Sequence, residues 1–503
     1  MVGVDFQPYS LSHVVTGEDW NQLLDHGLEK PVSYVVRNVD GVVEAVDGRS
    51  GKREFSGSSL PTVLGSVFNA LPMGRTWKER VVVKGEYTLD DSIMLADYVV
   101  LDLYGARLKL ADDVDKALIT ASGRRNFAVL GGHLDGNREN CSSYGISIEG
   151  GSTCGLVRDV TVENTAGAGV LVTGGDTGKI KVQNCRFKNT GHGVFVMKGA
   201  SYVDVLDCWV ENPSSCGFGA SGTEGAVSHV NFINCRVDGG GYNAIWLYFN
   251  VYHASVIGCE VKNVTFGWGI EVENAMYCIL MGNHIHDCPV SHGIKLGFES
   301  SFQNAVIGNV IRNVGRHGIV INTRHTTVVG NTVENASASE NGRYDGICLG
   351  GSDGGNGEGG GSLGGNIIMG NIIWVRSGNR IRHGIREYGS YDNNIIKNNI
   401  ILGEPTNEKI LWVGGHTVVE DNVGARTENS GEATIPSGQS TVTFNHNIEG
   451  VAADGSNLIV LLGPKHSEVS DAVWSANDTQ ITITVPNPVS ADRKISWSAR
   501  RTS

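Results

Sequence analysis

The stretch Gly145-Ile146-Ser147-Ile148-Glu149 decides how this chain is read, because its opening pair returns at near-fixed spacing. Gly169-Val170, Gly193-Val194, Ala244-Ile245, Gly269-Ile270, Gly293-Ile294, Gly318-Ile319, Gly346-Ile347 and Gly384-Ile385 each put a small residue before an apolar one. The first steps are 24 and 24 residues. Beyond one weakly marked turn near Gly219 they are 25, 24, 25, 28 and 38. Self-similarity at this period is the mark of a solenoid. A second slot keeps the same register. About fifteen residues after most openings stands a Cys or an Asn: Cys185, Cys208, Cys235, Cys259, Asn283, Asn309, Asn331, Asn371, Asn399 and Asn422. Equal slots of stacked coils lie ~4.8 Å apart. An inward Asn there can bond its amide to the copies above and below. A further Asn closes several segments (Asn164, Asn189, Asn212, Asn263, Asn313, Asn335) and suits a corner. Helical repeats need longer periods and long amphipathic runs. The runs here are short, β-branched and broken by Gly and Asn, so strands are expected.

Bulk composition agrees. Of 503 residues 69 are Gly and only 18% are charged, as tight corners and one solvated layer per sheet require. A net charge of −13 argues against a nucleic-acid or anionic-membrane partner. No apolar run reaches the length of a membrane span, so no membrane insertion is expected. Met1 to Ser10 has neither a basic nor an apolar leader region, so no secretory signal is read. The ten cysteines show no CxxC and no metal-ligand spacing with His. Those in the ladder slot are read as free buried thiols, although neighbouring ones stand at bridging separation. No cofactor and no metal is predicted.

Three regions are expected: 1–75 with a capping helix, the solenoid over 76–428, and a β-sandwich over 429–503. Thr16 and Asp19 before Trp20, Leu23 and Leu24 form a weak helix start. Tyr34–Arg37 and Val42–Val46 read as strands around an Asp40-Gly41 turn. Residues 60–71, with Val63, Val67, Ala70 and Leu71 at helical spacing, suit a cap on the first coil. Arg80–Lys84 reads as a strand ending in a turn at Gly85-Glu86-Tyr87. Two insertions lengthen the later coils, 334–345 and the Gly-rich 350–361. The second is not a phosphate loop, since no Lys-Ser/Thr and no helix follow. After Asn422 the repeat stops, and alternating strands at Thr441–Phe444, Leu458–Leu462, Gln480–Val485 and Lys494–Ala499 read as a sandwich.

The phrases Gly85-x-Tyr87-x-Leu89, Ser92-Ile93-x-Leu95, Val99-Val100-Leu101 with Gly105-Ala106, and Gly131-Gly132-x-Leu134-Asp135-Gly136-Asn137 resemble the pectate-lyase-like right-handed parallel β-helix superfamily. That group holds polysaccharide lyases, polygalacturonase-like hydrolases, epimerases and viral tailspikes. The likeness spans roughly residues 55–425 and speaks for fold rather than reaction. The run from Ala433 to His446, with Ile495-Ser496-Trp497-Ser498-Ala499, resembles C-terminal modules of phage tail-fibre proteins. Together these imply an all-β, right-handed parallel β-helix of a tailspike kind, a polysaccharide partner, a homotrimer, and a place on a virion tail or outside the cell. Gly191-His192-Gly193 matches one phrase of polygalacturonase-like hydrolases, but that family's upstream Asp phrases are missing, as is the Asp-Pro-His of alginate epimerases. No active site is carried over from either.

The residues supply a candidate site of their own. In Gly-Ile-x-Ile-x each x points outward. Stacked, these positions bring together Trp246, Tyr248, Glu271, Glu273, Lys295 and Asn322, with Glu299 and Arg324 beyond and Arg386 and Tyr388 further on. Aromatic faces suit sugar rings. Glu271 and Glu273, ~6.7 Å apart along one strand, with Glu299 one coil on, suit the paired carboxylates of glycoside hydrolysis. The corner before the strand holds His192, His292, His317 and His383, with Asp345 in the same slot. Glu271, Glu273, Glu299 and Asp345 are the catalytic candidates, and Trp246, Tyr248, Lys295, Asn322, Arg324, Arg386, Tyr388, His292 and His317 the substrate-binding ones. Three readings stay open: a hydrolase; a lyase or epimerase using Lys295, Arg324, Arg386 and a His or Tyr; and a non-catalytic glycan-binding protein. The competing reading of the acids is a solvated face, and of each His a corner hydrogen bond.

Overall fold

A computed structural model describes residues 32–298, 300–350, 363–376, 378, 381–389, 391–425 and 428–502. The helix start at Thr16, most of the Gly-rich insertion, and Glu299 lie outside the described residues. The chain is a parallel β-solenoid of about 13 turns, with one α-helix among the described residues. Its contacts divide into two units, one up to Gly191 with 200–204, the other 192–199 with 205 onward.

In the first unit Tyr34–Val39 and Val42–Asp47 pair antiparallel. Asp40 and Gly41 between them have φ of 53° and 85°, the left-handed pair that matches hairpin twist. Helix Leu60–Ala70 carries Pro in its first turn and buries Leu60, Val63, Leu64, Val67 and Phe68, while Ala70 is exposed. The turn expected at Gly85 is instead a bend within one strand, Glu79–Leu89. Its first half pairs with Val99–Asp102 and its second with Ala106–Leu110. Gly85 at φ 104° makes the change of sheet, a conformation that a Cβ disfavours.

In the second unit the opening phrases stack in register: Ile245, Ile270, Ile294, Ile319, Ile347 and Ile385 face one another coil by coil. The weakly marked turn is the strand Phe218–Ser221, seated between Val194 and Ile245. Its small Gly219 accommodates the Phe195 ring, which a Cβ there would meet at 2.7 Å.

The Cys/Asn slot forms the expected ladder. Amide Nδ2 of Asn283, Asn309, Asn331, Asn371 and Asn399 donates to Oδ1 of the next Asn at 2.8–2.9 Å. Each Oδ1 also accepts the backbone N–H of the preceding ladder residue, as Asn309 Oδ1 does from Asn283 at 2.9 Å. The second Nδ2 proton goes to a strand carbonyl, such as Val306 from Asn331 at 2.9 Å. Thus a buried amide spends all its donors inside the stack. In earlier coils Cys235 and Cys259 fill the slot, each thiol donating to carbonyls. All ten cysteines are free. The closing Asn residues sit at φ between 49° and 57°, where Asn tolerates the left-handed corner.

The C-terminal residues form two three-stranded antiparallel sheets. Ile435, Val460, Ile481, Ile483, Ile495 and Trp497 fill the space between them. Two of their strands, Glu428–Ile435 and Val473–Ala476, are mostly exposed and carry little of the alternation by which a sequence marks a strand. Arg501 ties this module to the last coil. Its guanidinium lies 3.7 Å from the Trp412 ring centroid and donates to the Ile410 carbonyl at 3.1 Å.

Replacing Asn331 by Leu strands two donors on Asn309 and the acceptors it served on Asn371 and Val306. A loss of about 3 kcal/mol or more is expected, read as a fall in the thermal unfolding temperature. Asn331→Cys, which borrows the residue of the earlier coils, should cost clearly less. Equal losses for the two would contradict the ladder account.

Candidate functional site

Three successive strands, Ile245–Tyr252, Trp268–Met276 and His292–Gly297, place the central residues. Their registers align Trp246 with Glu271 and Lys295, and Tyr248 with Glu273 and Gly297. The side chains do meet. Trp246 Nε1 donates to Glu273 at 3.4 Å, and the Trp246 and Tyr248 rings lie 4.2 Å apart. Lys295 Nζ is 3.4 Å from Glu271 Oε1 and 4.1 Å from the Trp268 ring centroid. Asn243 Nδ2 donates to Glu271 Oε2 at 2.5 Å. Gly297 leaves room for this lysine, since a Cβ there would stand 3.3 Å from its Cε.

The preceding corners add aromatic residues that the strand pattern does not mark. Tyr242 packs on Trp246 at 5.7 Å, on Phe266 at 5.8 Å and on Trp268 at 6.4 Å. Phe249 bridges Tyr248 and Phe298. Phe266 is 61% exposed, Phe298 46% and Tyr242 36%, so the rim of this cluster meets solvent while its floor does not. The available sequence signal was the density of aromatic residues over 242–249 and 266–268.

Glu271 is not on an open face: it is 2% exposed. Burial pushes its carboxyl up to about 7, Lys295 pulls the other way, and the charge of Glu273 adds to the rise. Tyr242 and Tyr248 are likewise raised, by burial first and then by these acids. Lys295 and Asn322 are also buried. The outward column that begins with Trp246 is therefore roofed from Glu271 onward, since Val320 and Cys348 are fully buried too.

The corner column is structural. Each acceptor in it takes the backbone N–H of the equivalent residue one coil on. Asn243 Oδ1 accepts from Trp268 at 2.9 Å, His292 Nδ1 from His317 at 3.2 Å, His317 Nδ1 from Asp345 at 2.9 Å, and Asp345 Oδ1 from His383 at 3.2 Å. His292 and His317 are buried, stacked 5.3 Å apart, and covered by Tyr344. Nδ1 acts as an acceptor in both. Asp345, a catalytic candidate, stands in the same column. It has no exposed surface, and both its oxygens hold Arg382 at 2.9 and 2.6 Å. Burial works to raise that carboxyl, yet Arg382 and His317 hold it below the usual carboxylate range. The insertion 334–345 is pinned by N–H groups of Ser337, Ala338 and Ser339 to carbonyls of Arg316, Val314 and Gly315.

The remaining candidates stand apart. Arg386, with its guanidinium 4.2 Å from the Tyr388 ring centroid, follows Glu271 by four coil steps, ~19 Å along the stack. Arg324 lies over Phe302 at 5.8 Å, past the end of its strand.

A family model for the right-handed β-helix region matches residues 121–229 and 225–379. The chain belongs to the right-handed β-helix family. Among solved structures, this β-helix is similar to the tailspike protein gp49 from Pseudomonas phage LKA1, at 11% identity and a TM-score of 0.53, covering 87% of this chain and 92% of that one. It is also similar to a variant of the tailspike protein of E. coli bacteriophage HK620 in complex with pentasaccharide, at 13% identity and a TM-score of 0.51, covering 90% and 92%. The A-module of mannuronan C-5 epimerase AlgE6 from Azotobacter vinelandii follows at 16% identity and a TM-score of 0.49, covering 73% and 95%. No curated protein sequence matches the chain. At these identities the likeness speaks for the fold alone.

Among the described residues one group of three metal-ligating side chains converges: His317, Asp345 and Cys348, with ligand atoms within 4.8 Å of one another. It does not suit a cation. Arg382 already neutralises Asp345, His317 Nδ1 is engaged, and burial pushes the Cys348 thiol well up. Among the described residues no helix is long and apolar enough to cross a membrane.

Folded Glu271 binds its proton more tightly than an unfolded glutamate. Its contribution is full below 4.5 and is lost as pH rises through about 7. Over that window the native chain should lose stability relative to Glu271→Gln in denaturant unfolding. Parallel pH curves for the two proteins would show that no such buried acid exists.

Proposed function

We propose that this β-helix protein hydrolyses a polysaccharide at the surface formed by Tyr242, Trp246, Tyr248, Phe266 and Glu273, as a tailspike-type depolymerase on a virion tail or outside the cell. The observation that carries this reading is the division of two adjacent carboxylates. Glu273 is half-buried at the solvated aromatic rim, whereas Glu271 is sealed behind it with a carboxyl raised to about 7. A buried carboxyl beside an accessible one acts on the titration of the accessible one through its charge, which suits proton transfer near neutrality. Exposed aromatic rings beside them give apolar sugar faces a place to stack.

The roles follow from access. Glu273 is the catalytic carboxylate, because of the two acids it is the one a glycan can reach. Glu271 is a positioning residue: its charge acts on Glu273 through space, and Lys295 and Asn243 hold it in place. The neighbouring tailspike bound to a pentasaccharide supports a glycan as the partner.

A panel of neutral and acidic polysaccharides should yield new reducing ends without the ultraviolet absorbance of unsaturated uronates. Glu273→Gln should lower the rate about 100-fold or more with the fold intact by circular dichroism. Glu271→Gln should instead move the alkaline limb of the pH profile. Cleavage that survives Glu273→Gln, or products that absorb as unsaturated uronates, would contradict the reading.

A further inference from the structure

Just past Glu273 the backbone of the aromatic rim departs from regular strand. Tyr248 faces Glu273 and Val251 faces Ala275, so two residues, Phe249 and Asn250, stand opposite the single Asn274. A bulge of this kind re-aims side chains and is frequent beside active sites. Phe249, Asn250, Asn274 and Phe298 have φ of 44°, 51°, 54° and 69°. Asn takes this left-handed conformation readily, whereas a bulky Phe does not. The same step in two earlier coils, after Glu149 and Thr173, is taken by Gly150 at 63° and Gly174 at 96°. Phenylalanines thus stand where Gly is the unstrained choice, and backbone strain gathers at ligand clamps. Phe249 and Phe298 are two coil steps apart, ~9.6 Å. Their rings lie 5.9 Å from one another, so they lean together over the intervening coil, which carries Asn274.

The chemistry of this strand end defines what fits it. Asn274 Oδ1 is buried and has no hydrogen-bond partner. Such an acceptor asks for a donor. Glu273, its neighbour in the chain, is an acceptor too when ionised. Lys295 is the only Lys or Arg on the three strands of the site. It is buried, and it is engaged by Glu271 and the Trp268 ring. A carboxylated sugar brings one more acceptor and one more negative charge to a place that already offers both. A sugar hydroxyl brings the donor that Asn274 lacks, and the C–H face of a sugar ring suits the exposed Phe298.

We propose that this strand end is a subsite for an uncharged, hydroxyl-bearing sugar. Phe249 and Phe298 lie against its apolar face, and Asn274 Oδ1 accepts one of its hydroxyls. The exposed Phe298 ring turns outward to admit it. The subsite belongs to the glycan surface of the proposed function and rests on that reading, whichever bond is cut.

Affinity electrophoresis of the full chain reads binding whether or not cleavage follows. The probes are three neutral polysaccharides (a glucan, a mannan and a galactan), each run beside its own derivative oxidised at C6 to the carboxylate. At least one neutral member should retard the chain. Its oxidised partner should bind about tenfold more weakly or worse, a gap that narrows in ~1 M salt as charges are screened. Asn274→Gly keeps the left-handed backbone. It should weaken binding of the neutral member about tenfold without lowering the thermal unfolding temperature, as an acceptor that serves only the ligand requires. Oxidised members that bind as tightly as neutral ones, no binding of any neutral member, or an Asn274→Gly chain that binds like the native one would each overturn the proposal. Reducing ends followed in parallel keep the two readings apart. Binding with these preferences but no cleavage removes the catalytic reading alone. A carboxylated substrate whose cleavage is lost in Glu273→Gln removes this subsite alone.

Discussion

The structure depends on how a coil satisfies its corners. Every turn of a parallel solenoid interrupts the strand ladder and leaves backbone N–H groups without strand partners. Side chains on the next coil take them up. The Asn column does so inside the stack, with each Oδ1 accepting both the backbone N–H and the amide proton of its neighbour. A second column at the start of the Gly-Ile strand uses Asn243, His292, His317 and Asp345 for the same task. Because each acceptor serves a residue one coil away, a slip of register would cost many bonds at once. That rigidity lets the outward positions vary freely.

The outward positions vary in three directions. Near coils 245–297 they are aromatic and acidic, and the corner aromatics extend them into a solvated rim. Further along, the same column is buried at Val320 and Cys348 and contributes packing instead. On another sheet outward positions pass from charged to apolar, as from Arg236 and Glu260 to Trp374 and Leu402. One scaffold thus presents a surface for chemistry and surfaces of other character without any change in its interior.

The fold was legible in the sequence because stacking repeats both geometry and residue type. The Gly-Ile opening and the Cys/Asn slot located most of the coils and the ladder. Columns of outward residues were legible for the same reason, as the pairing of Trp246, Glu271 and Lys295 shows. Exposure was not. Periodicity says that Glu271 points away from the coil's interior, but not that Trp268, Asn243 and Lys295 close over it. Asp345 and the histidines share a slot beside a plausible site, yet a slot at a corner is equally a place to cap a backbone, and there each accepts a backbone N–H from the next coil. Tyr242 and Phe266 were not legible because corner residues follow no strand alternation.

The most direct test of this account is a crystal structure of the Glu273→Gln variant with an oligosaccharide released from its polysaccharide. A sugar ring should lie against Trp246 or Tyr248 at van der Waals contact, with the glycosidic oxygen within hydrogen-bond reach of residue 273. Sugar bound on another sheet, with the aromatic rim empty, would contradict it.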